Sequence, residues 1–136
     1  MGGVEVIVVD THVIILDALR PELLSDNAQK ALSQANENDG ILLCEISLWE
    51  IAMLVKKGRL SLGASYQEFI RLVLLSKNYQ LQGITPEIAE LSTQLSEDIN
   101  NDPADRIIAA TSLVMGFPLI TADTNLNRAA SLTTIW

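Results

Sequence analysis

Four acidic side chains are the residues of this chain whose type and position point most directly to chemistry. Asp10 and Asp123 each follow an apolar segment, and Glu50 is embedded in one. Asp105 lies at the start of a stretch with helical periodicity. Carboxylates among apolar neighbours are costly to bury unless a cation pairs with them, and hard divalent cations such as Mg²⁺ and Mn²⁺ prefer oxygen ligands. The four residues therefore predict one metal-binding acidic pocket, assembled from distant parts of the chain.

The segments that must position these acids alternate between strand-like and helix-like patterns. Strands are predicted at 4–9, 41–44, 79–84, 119–121 and 133–136, and helices at 11–19, 27–35, 47–58, 66–76, 85–97 and 102–114. Such alternation predicts an α/β sandwich with a mostly parallel sheet of four or five strands. Ligands of such sheets bind beyond the carboxyl ends of the strands. Asp10 and Asp123 are expected at that edge.

Length and composition indicate an ordinary globular protein. The chain has 136 residues, of which 49% are apolar and 19% charged, so we expect one domain over 1–136 with its own core. No apolar run reaches the length of a membrane span and no signal peptide is visible, so a cytoplasmic location is expected. The single cysteine, Cys44, excludes an intrachain disulfide and is expected to be a buried packing residue.

The charge balance restricts how the protein can bind nucleic acid. With 9 basic and 17 acidic residues the net charge is −8, which argues against a binder that works by neutralising phosphates. An enzyme that holds nucleic acid through a metal and a few local cations remains possible. Lys56, Lys57 and Arg59 form such a cluster near Glu50. The alternative is a solvated helix end with favourable positive charge.

Each acid also has a structural interpretation. Asp10 and Asp123 can cap a helix or a turn, and Glu50 can face solvent on a helix. Asp102 precedes Pro103, which fits an N-cap followed by proline at the first helical position, and capping is the leading interpretation for Asp102. Asp105 would then occupy the third position, where an acid can cap reciprocally. Capping and metal binding stay open for Asp105.

The motifs, taken in order, are more informative than any one acid. They are Val8-Val9-Asp10-Thr11-His12, Ser47-Leu48-Trp49-Glu50-Ile51-Ala52, Lys57-Gly58-Arg59-Leu60, Asp102-Pro103-Ala104-Asp105-Arg106-Ile107-Ile108-Ala109-Ala110 and Thr121-Ala122-Asp123. This ordered set spans nearly the whole chain and resembles the PIN-domain ribonucleases. The most similar branch is that of the VapC toxins of prokaryotic toxin–antitoxin pairs.

The resemblance implies a three-layer α/β/α sandwich and an endoribonuclease that depends on Mg²⁺ or Mn²⁺. Its acidic quartet would correspond to Asp10, Glu50, Asp105 and Asp123, with Asp102 in the outer shell. It also implies an RNA substrate, an antitoxin protein and a homodimer as partners. The chain departs from the family pattern at Ala104, where an aromatic residue is common, and at 100–101, where Asn-Asn replaces a stretch that commonly contains His or Arg.

The residue types fit hydrolysis by a metal-activated water, which needs no histidine base. His12 is the only histidine, so a mechanism with paired histidines is excluded, and His12 is expected to have a structural role. Thr11 and Thr121 lie beside proposed ligands, where their hydroxyls either support the outer shell or cap local backbone. Arg106 is interpreted equally as a structural ion-pair partner or as an RNA phosphate contact.

Two other functions compete with the nuclease. An aspartyl phosphotransferase or receiver-like domain also has an aspartate at a strand end, but no Asp-x-Asp motif follows the first strand. A non-catalytic partner-binding module would use the acids only as caps.

The segment 66–76 carries apolar residues on more than one predicted helix face. This predicts a surface for an antitoxin or a second copy of the chain. The alternative is a helix enclosed within the core.

Overall fold

The computed structural model describes residues 6–136. Over this range the strands are β1 (Val6–Val9), β2 (Gly40–Cys44), β3 (Tyr79–Gln82), β4 (Leu119–Ile120) and β5 (Thr134–Ile135). The helices are α1 (Thr11–Leu19), α2 (Asp26–Glu37), α3 (Glu45–Lys56), α4 (Tyr66–Ser76), α5 (Pro86–Gln94), α6 (Pro103–Met115) and α7 (Thr124–Arg128), with a short 3₁₀ turn at Pro21–Leu23. Strands therefore alternate with helices, as the sequence pattern predicts.

All strand pairs in the sheet are parallel, in the order β3-β2-β1-β4-β5. In the central strand, Val8 pairs with Leu42 of β2 and with Leu119 of β4. A parallel arrangement places the carboxyl ends of all strands at one edge. The residues that directly follow β1 and β4 are Asp10 and Thr121, so this topology brings distant polar residues together.

Both faces of the sheet are covered. Along β1, Ile7 and Val9 pack into one apolar cluster with residues of α1, α2 and α4. Val6 and Val8 pack into a second cluster, which includes Ile108 of α6. Alternate side chains of a strand point to opposite faces, which explains the split. The predicted α/β/α sandwich is confirmed.

Side-chain caps explain where several helices begin. Ser25 accepts a hydrogen bond from the Ala28 N–H at the start of α2, and Ser65 caps α4. Helix α6 ends before Gly116, which has a φ of 74°. This is a left-handed conformation that glycine adopts without strain. These local signals are visible in the sequence and account for the predicted helices there.

Several predicted boundaries were wrong. Helix α3 begins at Glu45 instead of Ser47, because its N-cap is Cys44, whose side chain makes no capping bond and gives no sequence signal. Helix α2 continues to Glu37 instead of ending at residue 35, and strand β2 begins at Gly40 instead of at residue 41. The segment 133–136 contributes only two residues to the sheet. Residues 4 and 5 of the first predicted strand lie outside the described residues.

Helix α5 also ends earlier than predicted. The helix stops at Gln94 instead of continuing to 97, because the following segment turns around the Arg106 side chain. The guanidinium of Arg106 donates hydrogen bonds to the carbonyls of Ser92, Leu95, Ile99 and Asn100. Within residues 6–136, no helix has the length and apolar character to cross a membrane.

Candidate metal centre

Asp10 lies at the carboxyl end of β1 and is 3% exposed. As the N-cap of α1 it accepts a hydrogen bond on Oδ1 from the Thr11 N–H at 2.8 Å. Its Oδ2 accepts from the Thr121 hydroxyl at 2.7 Å. His12 Nδ1 lies 3.5 Å from the same Oδ2. Asp10 therefore caps a helix with one oxygen, while the other is held by polar groups at the edge of the sheet.

Glu50 projects from α3 and is half-buried. Its Oε1 accepts a hydrogen bond from the Thr11 hydroxyl, whose oxygen also lies 2.8 Å from Ser47 Oγ. Burial raises the pKa of Glu50, and the neighbouring carboxylates, Asp10 and Asp105 foremost, raise it further, while the bond from Thr11 opposes them. Burial and like charge therefore disfavour the charged form of Glu50, and no lysine or arginine of the described residues forms an ion pair with it.

Asp105 occupies the third position of α6. Its backbone N–H donates to Asp102 Oδ1 at 3.0 Å, and its Oδ2 accepts from Asn100 Nδ2 at 3.0 Å. Burial raises the pKa of Asp105 to about 6, the bond from Asn100 counteracts this, and the charges of Asp10, Asp102 and Asp123 add to the rise. The carboxylate is therefore destabilised chiefly by lost solvent and like charge.

Asp123 is the N-cap of α7, a helix that the sequence pattern did not predict. Its Oδ1 accepts from the Leu126 N–H at 2.9 Å. Its own N–H donates to Thr121 Oγ1 at 3.0 Å. The predicted turn at Asp123 is thus the first turn of a five-residue helix, which is too short to show helical periodicity in the sequence.

Asp10 raises the pKa of both Glu50 and Asp105, Asp105 raises that of Glu50, and Asp123 raises that of Asp105, so each of the four predicted ligands interacts electrostatically with at least one other. Within residues 6–136, no lysine or arginine forms an ion pair with any of them. Over the same residues, no three acidic, histidine or cysteine side chains form a complete set of metal ligands. Mg²⁺ commonly keeps several waters and takes only one or two protein carboxylates. The donors therefore fit such an ion in chemistry, although they do not enclose one.

The other predicted residues have separate roles. Asp102 is exposed and caps α6, so its capping role is confirmed. Arg106 forms no ion pair within the described residues. Because its guanidinium nitrogens are held by four backbone carbonyls, Arg106 fastens the segment between α5 and α6. Lys56, Lys57 and Arg59 are exposed at the end of α3.

His12 and Cys44 are structural, as expected. His12 Nε2 accepts from the Ala122 N–H at 3.0 Å, and its ring makes an edge contact with Trp136. Burial raises the pKa of Cys44 to about 12, and the carboxylates of Asp10 and Glu50 add to this rise. A thiol with so high a pKa stays protonated and is a poor nucleophile.

Three residues of the site were not predicted as such: Ser47, Asn100 and Asn125. Ser47 is fully buried and contacts Thr11. Asn100 contacts Asp105 and Asn125. Ser47 opens one of the motifs that resemble the family, and Asn100 lies in the stretch that departs from the family pattern, but neither position indicated a contact with the site. The partners of Ser47 and Asn125 lie 36 and 25 residues away, so their contacts depend on the tertiary fold.

Comparison with known proteins agrees with this architecture. The model of the PIN domain family matches residues 7–132. Ribonuclease VapC22 of Mycobacterium tuberculosis (strain ATCC 25618 / H37Rv) is 30% identical over 132 residues, which cover 96% of this chain and 98% of that protein.

Solved structures show the same fold at lower identity. VapBC2 from Rickettsia felis, bound to a DNA fragment from their promoter, matches with a TM-score of 0.69 and 18% identity, over 95% of this chain and 96% of that one. A toxin-antitoxin complex from Klebsiella pneumoniae matches with a TM-score of 0.63 and 21% identity, over 93% and 95%. Together with the family match and the relative at 30% identity, these likenesses show that the chain belongs to the PIN domain family.

Proposed function

We propose that this protein is a metal-dependent endoribonuclease, acting through residues 1–136 as one nuclease domain, and the toxin of a toxin–antitoxin pair. The observation that carries the proposal is that Thr11 and Thr121 link Asp10 to Glu50 and to Asp123 by hydrogen bonds, beside Asp105, while no lysine or arginine of the described residues forms an ion pair with these acids. A divalent ion would neutralise this excess of negative charge. The similarity to a protein named Ribonuclease VapC22 supports RNA as the substrate.

A capping function accounts for only part of the acidic group. Asp10, Asp102 and Asp123 each cap a helix. Glu50 lies within α3, where no cap is needed, and the Asp105 carboxylate accepts a side-chain amide instead of a backbone N–H. The pKa of each is raised, so the charged form of each side chain lowers the stability of the folded protein. The two acids that capping leaves unexplained therefore favour the metal site over a non-catalytic module.

The chemistry of the proposed site divides between the ion and the protein. When bound, Mg²⁺ or Mn²⁺ would supply Lewis acidity toward the phosphate and a water that is nucleophilic at neutral pH. Asp10, Glu50, Asp105 and Asp123 would hold the ion. Thr11 supports this arrangement from within the protein, because its backbone N–H binds Asp10 and its hydroxyl binds Glu50.

Access to the site is expected from the side of the less buried acids. Asp10 is almost fully buried, whereas Glu50, Asp105 and Asp123 are each partly exposed. Substrate phosphate would therefore approach these three, with Asp10 beneath them.

The cations at the end of α3 are proposed as RNA contacts. Lys56, Lys57 and Arg59 are exposed, and within the described residues they form no ion pair. Lys56 lies on the same helix as Glu50, and Lys57 and Arg59 lie just beyond the end of that helix. On a chain with a net charge of −8, a local cluster of this kind would offset repulsion between the protein and RNA.

Helix α4 is the proposed surface for a protein partner. Phe69 and Val73 are buried in the core, whereas Leu72 is 50% and Leu75 70% exposed. Beside this helix lies a cavity of about 310 Å³, whose lining includes Leu19, Phe69 and Leu72. The helix therefore has one buried face and one exposed face, on which Leu72 and Leu75 lie beside the Glu68–Arg71 ion pair. Because similar folds occur in a toxin-antitoxin complex, we propose an antitoxin or a second copy of this chain as the partner.

The function is tested by assaying a panel of single-stranded RNAs with Mn²⁺, with EDTA, and with EDTA followed by excess Mn²⁺. Cleavage that disappears with EDTA and returns with Mn²⁺, and is absent in Asp105→Asn, is the expected result. Cleavage that persists in EDTA would contradict the metal-dependent mechanism. Co-expression with the product of the adjacent reading frame, followed by purification of a complex, tests the antitoxin.

A further inference from the structure

Asn100 contacts Asp102, Asp105 and Asn125 of the site, and all of its polar atoms form hydrogen bonds. It lies half-buried between α5 and α6. Its Nδ2 donates to Asp105 Oδ2 at 3.0 Å and to Asn125 Oδ1 at 3.1 Å. Its Oδ1 accepts from the Asp102 N–H at 2.8 Å, and its carbonyl accepts from Arg106. A side chain with every donor and acceptor engaged has a fixed orientation.

The bond to Asp105 determines how that carboxylate is presented. Within the described residues it is the only hydrogen bond that the Asp105 carboxylate accepts. The bond engages Oδ2 and leaves Oδ1 without a protein donor. Asn100 therefore orients the Asp105 carboxylate.

Asn125 fixes Asn100 in turn. Its Oδ1 accepts from both the backbone N–H and the Nδ2 of Asn100, at 3.0 and 3.1 Å. Its Nδ2 donates to the Asp98 carbonyl at 3.0 Å. Asn125 lies on α7, two residues after the cap Asp123. The asparagine pair thus joins the start of α6, which carries Asp105, to the start of α7, which carries Asp123.

We infer that Asn100, held by Asn125, is a positioning residue that sets the Asp105 carboxylate for metal binding. This inference rests on the proposed function. Carboxylates that bind metals are themselves oriented by outer hydrogen bonds, and loss of such a bond typically costs about 10- to 100-fold in metal affinity or activity. Asn100 acts through Asp105 and Asn125, so it does not need to touch the substrate.

The test measures the Mn²⁺ dissociation constant by calorimetry on metal-free protein. We expect Asn100→Ala to weaken Mn²⁺ binding by about 10- to 100-fold and Asn125→Ala to weaken it less, because Asn100 can still reach Asp105. The double variant should bind Mn²⁺ no more weakly than Asn100→Ala, since the two residues act as one unit. Asn101→Ala is the matched control: Asn101 is an exposed neighbour, and its removal should leave the affinity unchanged.

A positioning role also predicts a kinetic pattern that simple destabilisation does not. At limiting Mn²⁺ the Asn100→Ala enzyme should cleave RNA slowly, and raising the Mn²⁺ concentration should restore most of kcat with little change in KM for RNA. A destabilised protein would instead lose activity only in proportion to its unfolded fraction, which bound Mn²⁺ lowers, so the unfolded fraction is compared at each Mn²⁺ concentration. Circular dichroism at the assay temperature measures that fraction directly.

The outcomes separate this inference from the proposed function. If wild type binds no Mn²⁺, the metal-dependent function fails and this inference fails with it. If wild type binds Mn²⁺ and Asn100→Ala binds it equally well, only the positioning role is overturned. Equal losses in Asn100→Ala and Asn101→Ala would also overturn it, because the effect would then belong to the loop. If Asn100→Ala does not fold, the Asn125→Ala result decides in the same way.

Discussion

Thr121 joins two proposed metal ligands through a single hydroxyl group. Its Oγ1 donates to Asp10 Oδ2 at 2.7 Å and accepts from the Asp123 N–H at 3.0 Å. Thr121 is fully buried and directly follows β4, the strand next to β1. The hydroxyl therefore fixes the spacing between an acid at the end of one strand and an acid at the start of α7.

Replacing Thr121 with Val keeps the shape of the side chain and removes this link. Asp10 loses a donor and the Asp123 N–H loses its acceptor, so the free energy of unfolding should fall by about 1–3 kcal/mol. Mn²⁺ binding should weaken as well, because Oδ2 of Asp10 is no longer held. Urea denaturation and calorimetry measure the two effects.

Thr111→Val is the control for this variant. Thr111 is also buried, but its hydroxyl donates to the Ile107 carbonyl within α6. Loss of this hydrogen bond should lower the free energy of unfolding by about 0.5–1.5 kcal/mol and should leave Mn²⁺ binding unchanged. Equal weakening of Mn²⁺ binding in both variants would show that the Thr121 link has no special role.

The elements that were predictable are those whose signals are local. Helix α1 and helix α4 have the bounds expected from the sequence, because an apolar pattern coincides with a capping residue at the start of each helix. The parallel sheet followed from apolar runs separated by helices. For the same reason, the arrival of Asp10 and Asp123 at one edge of the sheet was predictable from topology.

What was not predictable depends on tertiary contacts. Helix α3 starts at a cysteine that makes no capping bond, and α7 has only five residues. The early end of α5 follows from the carbonyls that surround Arg106, whose side chain comes from the next helix. The pairing of Asn100 with Asn125 likewise needs two segments that only the fold brings together. The sequence indicated the acids of the site and the adjacent Thr11 and Thr121, but not Ser47, Asn100 and Asn125.

Replacing Asp105 with Asn should abolish metal-dependent RNA cleavage and leave the fold intact. The change removes one charge from a group of mutually repelling carboxylates, so the free energy of unfolding without metal should stay level or rise. RNA cleavage assays and urea denaturation provide the two measurements. A variant that still cleaves RNA but loses about 0.5–2 kcal/mol of stability would behave as a lost cap instead.

Stability without metal should depend on pH through Asp105. Its pKa is raised to about 6 in the folded protein, against about 3.9 in an unfolded chain. Between these values the folded state binds more protons, so this group's contribution lowers the free energy of unfolding as pH rises from about 4 to 6. The raised pKa of Glu50 acts in the same direction.

The difference between Asp105→Asn and wild type reports this contribution together with the coupling of Asp105 to Glu50. The stability advantage of the variant should grow from pH 4 to about pH 6 and then level off, as measured by urea denaturation in EDTA. A difference that is constant over this range would contradict the raised pKa of Asp105.

Mn²⁺ or Mg²⁺ should raise the melting temperature, because an ion that binds only the native state stabilises it by mass action, by about 2.7 kcal/mol at 100 times Kd. The shift should shrink in Asp10→Asn and Asp123→Asn. Asparagine caps helices about as well as aspartate, so these variants keep both caps, while Asp10→Asn also loses the oxygen that accepts from Thr121. Asp26→Asn, at an exposed position of α2, is the charge-matched control. No shift in wild type at millimolar metal, with no heat of binding, would argue strongly against the acidic pocket.

The exposed face of α4 should be needed for a protein partner and not for folding. Leu72 and Leu75 are at least half exposed, so replacing either with Glu should change the free energy of unfolding by only about 0.5 kcal/mol. A charge placed in a desolvated apolar interface is costly, and dimerisation or antitoxin capture should therefore weaken. Light scattering and co-purification measure the two kinds of association. Leu23→Glu, at another exposed leucine, should leave both unchanged. A Leu72 or Leu75 variant that unfolds would exclude α4 as the partner surface. A variant that stays dimeric, and whose RNA cleavage the antitoxin still inhibits fully, would exclude it as well.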